Sequence, residues 1–232
     1  MATISFWSRL IDLVSPRPCM VCGARLAIEE EVVCASCNLH LPRTGFAANA
    51  YDNPMAQRFW ARIPVERAAG LFYYEAGSEV SHIIHAIKYN NHPEAGTAMG
   101  RMAAEEFAAF GFFEGIDAII PVPLTKKRQR QRGYNQSMEI ARGVSAVTGL
   151  PIITDAVERV SFSESQTRKS LRERMENVED AFRATGKGDL DGKHLLMVDD
   201  IVTSGATVCA CVDALKKTAH IKVSIFSLGV VK

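Results

Sequence analysis

The chain has 232 residues, 47% hydrophobic and 23% charged, and its 27 Lys+Arg against 26 Asp+Glu leave a net charge of +1. That balance belongs to a globular protein with room for one sizeable domain and a small one. It excludes a global field that recruits nucleic acid, so any such binding rests on local patches. No apolar run approaches the ~20 residues of a membrane helix, and Arg9 and Asp12 interrupt the N-terminal apolar stretch that a secretory signal needs. The expectation is a cytoplasmic protein with reduced thiols.

In chain order, Trp7, Leu10, Ile11 and Val14 stand at i, i+3, i+4 and i+7, which predicts an amphipathic helix over 4–14, stopped by Pro16 and Pro18. A helix packed on its own protein is favoured over a membrane-surface or partner-binding helix, because its polar face is not rich in Lys or Arg. Cys19-x-x-Cys22 follows, then eleven residues, then Cys34-x-x-Cys37. Two such pairs can set four thiolates tetrahedrally around one structural Zn²⁺, which would supply the folding energy of a segment too short for a core. Two disulfides or a redox pair are the weaker readings. His40 reads as a surface residue, and Cys209 and Cys211, two apart on a later helix, as core or near-core residues.

Residues 42–66 carry Pro42, Gly45, Asn53-Pro54 and Pro64 and read as a linker or wrapping segment. Its run Arg58-Phe59-Trp60-Ala61-Arg62 suits a satellite cluster on the main domain better than a nucleic-acid or partner surface. The main domain opens near Arg67. Leu71–Tyr74 predicts a strand, and Val80, Ile83, Ile84 and Ile87 one face of a helix ending at Lys88-Tyr89. Met99, Met102, Ala103, Phe107 and Phe110 predict a second helix closed by Gly111. Asp117–Pro123 predicts a buried strand, and Ile140, Val144 and Val147 a helix stopped by Gly149 and Pro151. Alternating strands and helices predict a mostly parallel sheet with helices on both faces and ligands at the carboxyl ends of the strands.

Five of the seven residues Lys126 to Arg132 are cationic. A charge run is commonly a solvated face. This one abuts the predicted ligand edge, where a pyrophosphate or a nucleic-acid backbone would need it, and Arg132 and Asn135 are its best-constrained members. The polar stretch Arg159–Phe182, with Ser161, Ser163, Ser165, Gln166, Arg168, Lys169, Arg172, Arg174 and Asn177, reads as a loop or hairpin over the site or as a plain exposed connection.

The chain's organising stretch is Leu195–Thr207. Leu195–Val198 predicts a short buried strand. Asp199 and Asp200 stand at its end, Thr203-Ser204-Gly205 make a turn, and a helix begins at Ala206 with Val208, Val212 and Leu215 on one stripe. A helix N-terminus has free N–H groups and the positive end of its dipole; Gly205 permits close approach, and Thr203, Ser204 and Thr207 add hydroxyls. The acids would repel a phosphate that they faced, so they suit a sugar diol or a metal's waters one step away. A plain helix cap and a phospho-acceptor aspartate are the competing readings. A final strand covers Val223–Val231.

Val198–Thr207 resembles the phosphoribosyl pyrophosphate (PRPP) signature of type I phosphoribosyltransferases. That resemblance implies the two acids on the ribose hydroxyls and Thr203, Ser204, Gly205, Ala206 and Thr207 around the 5-phosphate. Taken with the paired Cys-x-x-Cys motifs, Ile87-Lys88-Tyr89, Ile120-Pro121-Val122-Pro123, Arg132-Gly133-Tyr134-Asn135-Gln136 and Gln166…Arg174…Asn177…Phe182, nearly the whole chain resembles the ComF/ComFC family of competence proteins. Only residues 38–66 match no pattern of that family, and Ser204 stands where threonine is frequent.

The fold implied is α/β, a type I phosphoribosyltransferase-like sheet at 67–232, joined through 46–66 to an N-terminal four-cysteine zinc module at 1–45. The family implies PRPP binding with Mg²⁺, Lys88 and Arg132 serving with the loop. It also implies single-stranded DNA as a partner, for which Lys126, Lys127, Arg128, Arg130 and Tyr134 are the candidates, with DNA-uptake proteins as further partners. The implied location is cytoplasmic, with a peripheral position at the inner membrane face left open. If a reaction occurs, pyrophosphate leaves the ribose C1, Asp199, Asp200 and Arg132 supplying electrostatics rather than a nucleophile. A nucleobase-salvage or glutamine-dependent phosphoribosyltransferase is the rival, and a non-catalytic PRPP sensor the third reading.

Overall fold

The computed structural model describes residues 16–89, 92–160 and 181–232. The helix expected over 4–14 and most of the polar stretch between Arg159 and Phe182 lie outside them. The main sheet has four parallel strands: β1 (Val65–Tyr74), β2 (Ala118–Pro121), β5 (His194–Val202) and β6 (Lys222–Val231), in the order β1-β6-β5-β2. Every residue from Leu195 to Val198 and from Val223 to Val230 is buried. Because successive side chains alternate faces, both sides of these central strands are covered, which is why they read as continuous apolar runs.

The helices fall where the periodicity puts them, with one exception: Phe110, expected on the apolar face of the second, lies past its end in the following turn and is exposed. α2 (Glu79–Tyr89) buries Val80, Ile83, Ile84 and Ile87, and α3 (Pro93–Ala108) opens with proline in its first turn. α5 (Gln136–Thr148) buries Ile140 and Val144 and ends at Gly149 in the left-handed conformation. α3 and α5 meet backbone to backbone: a Cβ on Gly100 would stand 2.2 Å from the Ile140 oxygen, and one on Gly143 2.1 Å from the Thr97 oxygen. α6 (Ala206–Lys216) follows β5 and buries Cys209 and Cys211, as expected for core residues.

Three elements differ from their predicted form. β1 begins at Val65, inside the stretch read as a linker and well before Leu71, because β6 pairs with it from Val65↔Val223 onward. β5 does not stop at Val198 but pairs with β6 through Val202↔Val230, carrying both acids within the strand. Its backbone stays in the ladder after its side chains turn polar. The cationic run is a helix of its own, α4 (Lys126–Arg132): Thr125 Oγ1 accepts from Arg128 N at 3.3 Å, and Gly133 ends it at φ +81°. A separate antiparallel pair, β3 (Val157–Arg159) with β4 (Phe182–Ala184), flanks the polar stretch.

The cysteine segment is knotted by its own backbone, with Cys19 N–H on Ala24 O at 2.7 Å and Met20 N–H on Val32 O at 3.0 Å, and it carries α1 (Ala35–His40). Residues 42–44 then run antiparallel to the outer edge of β1, through Tyr73 N–H on Pro42 O (2.8 Å) and Thr44 N–H on Leu71 O (3.0 Å). This covers an otherwise open strand edge. Arg43 fastens the crossing, 2.8 Å from Glu106 and 5.4 Å above the Phe72 ring. Beyond it, Met55, Ala56 and Phe59 are fully buried and continuous with the main core, the satellite cluster expected of this stretch. Asn53 shapes the turn there, accepting from Met55 N and Ala56 N and donating to Ala68 O. Among the described residues no helix is long and apolar enough to cross a membrane.

Candidate functional site

The loop after β5 lies at the carboxyl edge of the parallel sheet. Thr203 and Ser204 are exposed, and Gly205 is buried at φ +76°, the residue before α6. A Cβ at that position would stand 2.5 Å from the Phe59 ring, so glycine is required by conformation and by space together. The N–H groups of Ser204 and Gly205 donate to no protein acceptor among the described residues. These are the open donors that an anion at a helix start uses.

The two acids have different surroundings. Asp199 Oδ1 accepts from Ser137 Oγ (3.2 Å) and from Asp200 N (2.9 Å), and the residue is half-buried. Burial, reinforced by Asp200, pushes its carboxyl up to about 7 against the opposing pull of those hydrogen bonds and of Lys88. Asp200 Oδ2 pairs with Lys88 Nζ at 2.8 Å, both side chains mostly but not wholly buried. Ser137 and Lys88 come from α5 and the last turn of α2, so the pair of acids ties two helices to the loop strand.

Arg132 sits beside this point: Nη2 donates to Tyr89 Oη at 3.2 Å, and the guanidinium lies 5.0 Å over the Tyr89 ring. Tyr134 is half-buried and its hydroxyl donates to Ile87 O, so it packs α2 against the turn before α5, while Tyr89 presents the exposed ring. Asn135 caps α5, accepting from Ser137 N and donating to Val122 O at 3.0 Å. Lys126, Lys127, Arg128 and Arg130 project from α4 into solvent, and Lys126, Gln129, Arg130 and Gly133 line a shallow cavity of about 320 Å³.

Sequence reasoning assigned no role to Arg159 at the end of β3. Burial, with Arg128 adding to it, holds its guanidinium below the ordinary arginine value, and Asp199 opposes them. It therefore lies within electrostatic reach of both the basic helix and the acid pair. The only signal in the sequence was a lone cation where a strand enters the polar stretch.

The four N-terminal cysteines gather their Sγ atoms within 4.8 Å of one another. Cys22 Sγ and Cys34 Sγ are 3.8 Å apart, and the edge of a tetrahedron of sulfurs ~2.3 Å from a central ion is also about 3.8 Å. Cys19 is buried, which raises a thiol pKa, yet N–H groups of Cys22, Cys34 and Val21 aimed at its sulfur bring it down to about 6. Burial and the neighbouring sulfurs push Cys37 up. Thiolates close enough to compete for one proton are a donor set that can hold a soft ion such as Zn²⁺ with no open position for catalysis.

A family model described as a phosphoribosyl transferase domain matches residues 85–227, from the last turns of α2 through the loop into β6. A Salmonella typhi protein named DNA utilization protein YhgH is 26% identical over 226 residues, 93% of this chain and 98% of its own length. Competence protein F of Haemophilus influenzae is 32% identical over 114 residues, 49% of this chain and 50% of its own. Competence protein ComFC of Bacillus subtilis is 30% identical over 111 residues, 47% of this chain and 43% of its own.

Proposed function

The chain belongs to the phosphoribosyl transferase domain family, in its ComF-like branch with an N-terminal four-cysteine module, and from that premise we propose that it binds PRPP with Mg²⁺ and single-stranded DNA in the handling of incoming DNA. The observation that carries the PRPP reading is the juxtaposition of open loop N–H groups at Ser204 and Gly205 with the carboxylates of Asp199 and Asp200 on the strand just before them. A phosphate needs the first and a ribose diol the second.

In this reading Thr203–Thr207 hold the 5-phosphate. Asp200 accepts from the diol and Asp199 orients it from behind. Their carboxylates are the hard oxygen donors that Mg²⁺ prefers alongside phosphate oxygens. Lys88 and Arg132, at the end of α2 and of α4, take the pyrophosphate. If the ribose is transferred, those cations stabilise the charge that develops on the leaving pyrophosphate, and no side-chain nucleophile is needed. The exposed cations of α4 and the Tyr89 ring beside them are the kind of charged, aromatic track that holds single strands without reading sequence. The cysteine module holds Zn²⁺ as a folding element, and proteins of the DNA-uptake apparatus are the partners.

Calorimetric titration with Mg²⁺ and PRPP tests the site. Wild-type protein binds, and the Asp199→Asn/Asp200→Asn variant loses the binding; equal affinity in the two refutes the assignment. A screen of nucleobases and of glutamine with PRPP, scored by pyrophosphate release, separates the roles. Turnover with any of them replaces the DNA-handling reading with a salvage or amido-transfer enzyme.

A further inference from the structure

The family match begins at residue 85, yet the back of the phosphate loop is held by residues well before it. Arg58 donates through Nη1 to Thr203 O and through Nη2 to Val231 O, bridging the loop to the last residue of β6. Arg62 Nη1 donates to Ser204 O at 2.9 Å and to Arg58 O at 3.2 Å. Between them the fully buried Phe59 ring fills the space where Gly205 lacks a Cβ. Ala61 takes φ +60°, rare for a residue with a side chain, in the turn that presents both arginines to the loop.

These contacts have a geometric consequence. A peptide unit is planar and trans, so its C=O and N–H point in opposite directions. Fixing Thr203 O and Ser204 O on the arginine side directs the N–H groups of Ser204 and Gly205 to the other side. Neither N–H donates to a protein acceptor among the described residues. The charges reinforce this. Cations near a helix N-terminus are unfavourable unless an anion is close, and neither Arg58 nor Arg62 forms an ion pair among the described residues. Arg62 is also near enough to Cys209, in the first turns of α6, to pull its thiol down against burial.

We propose that Arg58, Phe59 and Arg62 are positioning residues that set the peptide planes of the loop for a phosphate monoester, a role supplied by a segment outside the family's matched domain. This rests on the loop being the 5-phosphate site. The arginines act from behind the loop, through its carbonyls, and the phosphate is met by the N–H groups in front.

The test has two arms. In the first, calorimetry measures ribose 5-phosphate and, separately, Mg²⁺-pyrophosphate. Arg58→Ala/Arg62→Ala weakens ribose 5-phosphate by about tenfold or more, the scale of one lost bond from a charged donor, while pyrophosphate stays within about twofold. Arg62→Lys restores part of the loss, because one bond is enough there. Arg58→Lys does not, because Thr203 O and Val231 O are reached by two separate guanidinium nitrogens held in one plane, a span that one ammonium nitrogen lacks. Equal weakening of both ligands, or of neither, overturns the proposal.

The second arm needs no ligand. The ¹⁵N order parameters of Ser204 and Gly205 fall from the rigid range of about 0.85 towards 0.6 in the double variant. Unchanged values overturn the proposal even if wild-type protein binds no phosphorylated ribose, a result that by itself refutes only the function proposed above. If the double variant does not fold, Arg62→Ala carries both arms, since Arg62 is exposed and, among the described residues, its side chain bonds just these two carbonyls.

Discussion

Lys88 Nζ lies 2.8 Å from Asp200 Oδ2, so the cation assigned to pyrophosphate and the acid assigned to the ribose neutralise each other before ligand arrives. A ligand carrying both groups offers each a better partner, whereas Mg²⁺ alone must compete with the ammonium for the carboxylate. Lys88→Ala is therefore expected to shift the two affinities in opposite directions. PRPP weakens by about tenfold or more for the lost charge-assisted bond, and free Mg²⁺ binds more tightly. Parallel calorimetric titrations read both. A loss of both affinities would make Lys88 a support for Asp200 instead of a ligand group.

Asp199 makes stability depend on pH. Its folded-state carboxyl titrates near 7, against 3.8 for an ordinary aspartate, because burial and Asp200 disfavour its charge. The folded protein thus holds an extra proton between those values. Its stabilising contribution is complete below about pH 4 and is lost as pH rises through 7, with a ceiling of roughly 4 kcal/mol for about three pH units. Asp199→Asn, which cannot ionise, is expected to melt several degrees above wild type at pH 8, by clearly less at pH 5, and close to it only near pH 4. A Tm difference that does not change between these pH values refutes the assignment.

The cysteine module makes a prediction about counts. The chain has six cysteines: four in the cluster, and Cys209 and Cys211 buried in α6. Structural zinc contributes on the order of 10 kcal/mol or more to such a segment. With the metal in place, a thiol reagent should label few groups. After chelation it should label four rapidly, and the last two only in denaturant. Melting of residues 16–41 should accompany the second stage. Four fast thiols without chelator would show that no metal protects them.

What was legible depended on how local the cause is. Leu195–Val198 announced a buried strand because both of its faces are covered, and Gly205 with its hydroxyl neighbours announced the loop because the chemistry is contiguous. The continuation of β5 through Asp199 and Asp200 to Val202 was hidden, since β6 supplies the pairing and the side chains no longer show it. Helix α4 was hidden behind its own charges, which repel at i, i+4 spacing. The segment at 58–62 could be read as a cluster on the main domain, but not as the support of a loop some 140 residues later. Gly100 and Gly143 are ordinary helix residues until the facing backbone is known.

The basic helix yields the sharpest test of DNA binding, because the structure divides its candidates. Lys126, Arg128 and Arg130 are exposed, so each contributes to phosphate neutralisation if a strand lies there. For single strands log K falls against log[salt] with a slope near −0.7 per phosphate neutralised. Replacing all three with alanine should therefore flatten the slope by about 2. The aromatic candidates should separate as well. Tyr134 spends its hydroxyl on Ile87 O and is half-buried, so Tyr134→Phe should leave DNA affinity nearly unchanged. Tyr89 is 59% exposed beside Arg132, and Tyr89→Ala should cost about 1–3 kcal/mol of stacking. Oligonucleotide anisotropy over a salt series measures all of these. A salt slope that survives the triple substitution, with Tyr89→Ala silent, would move the strand off this helix.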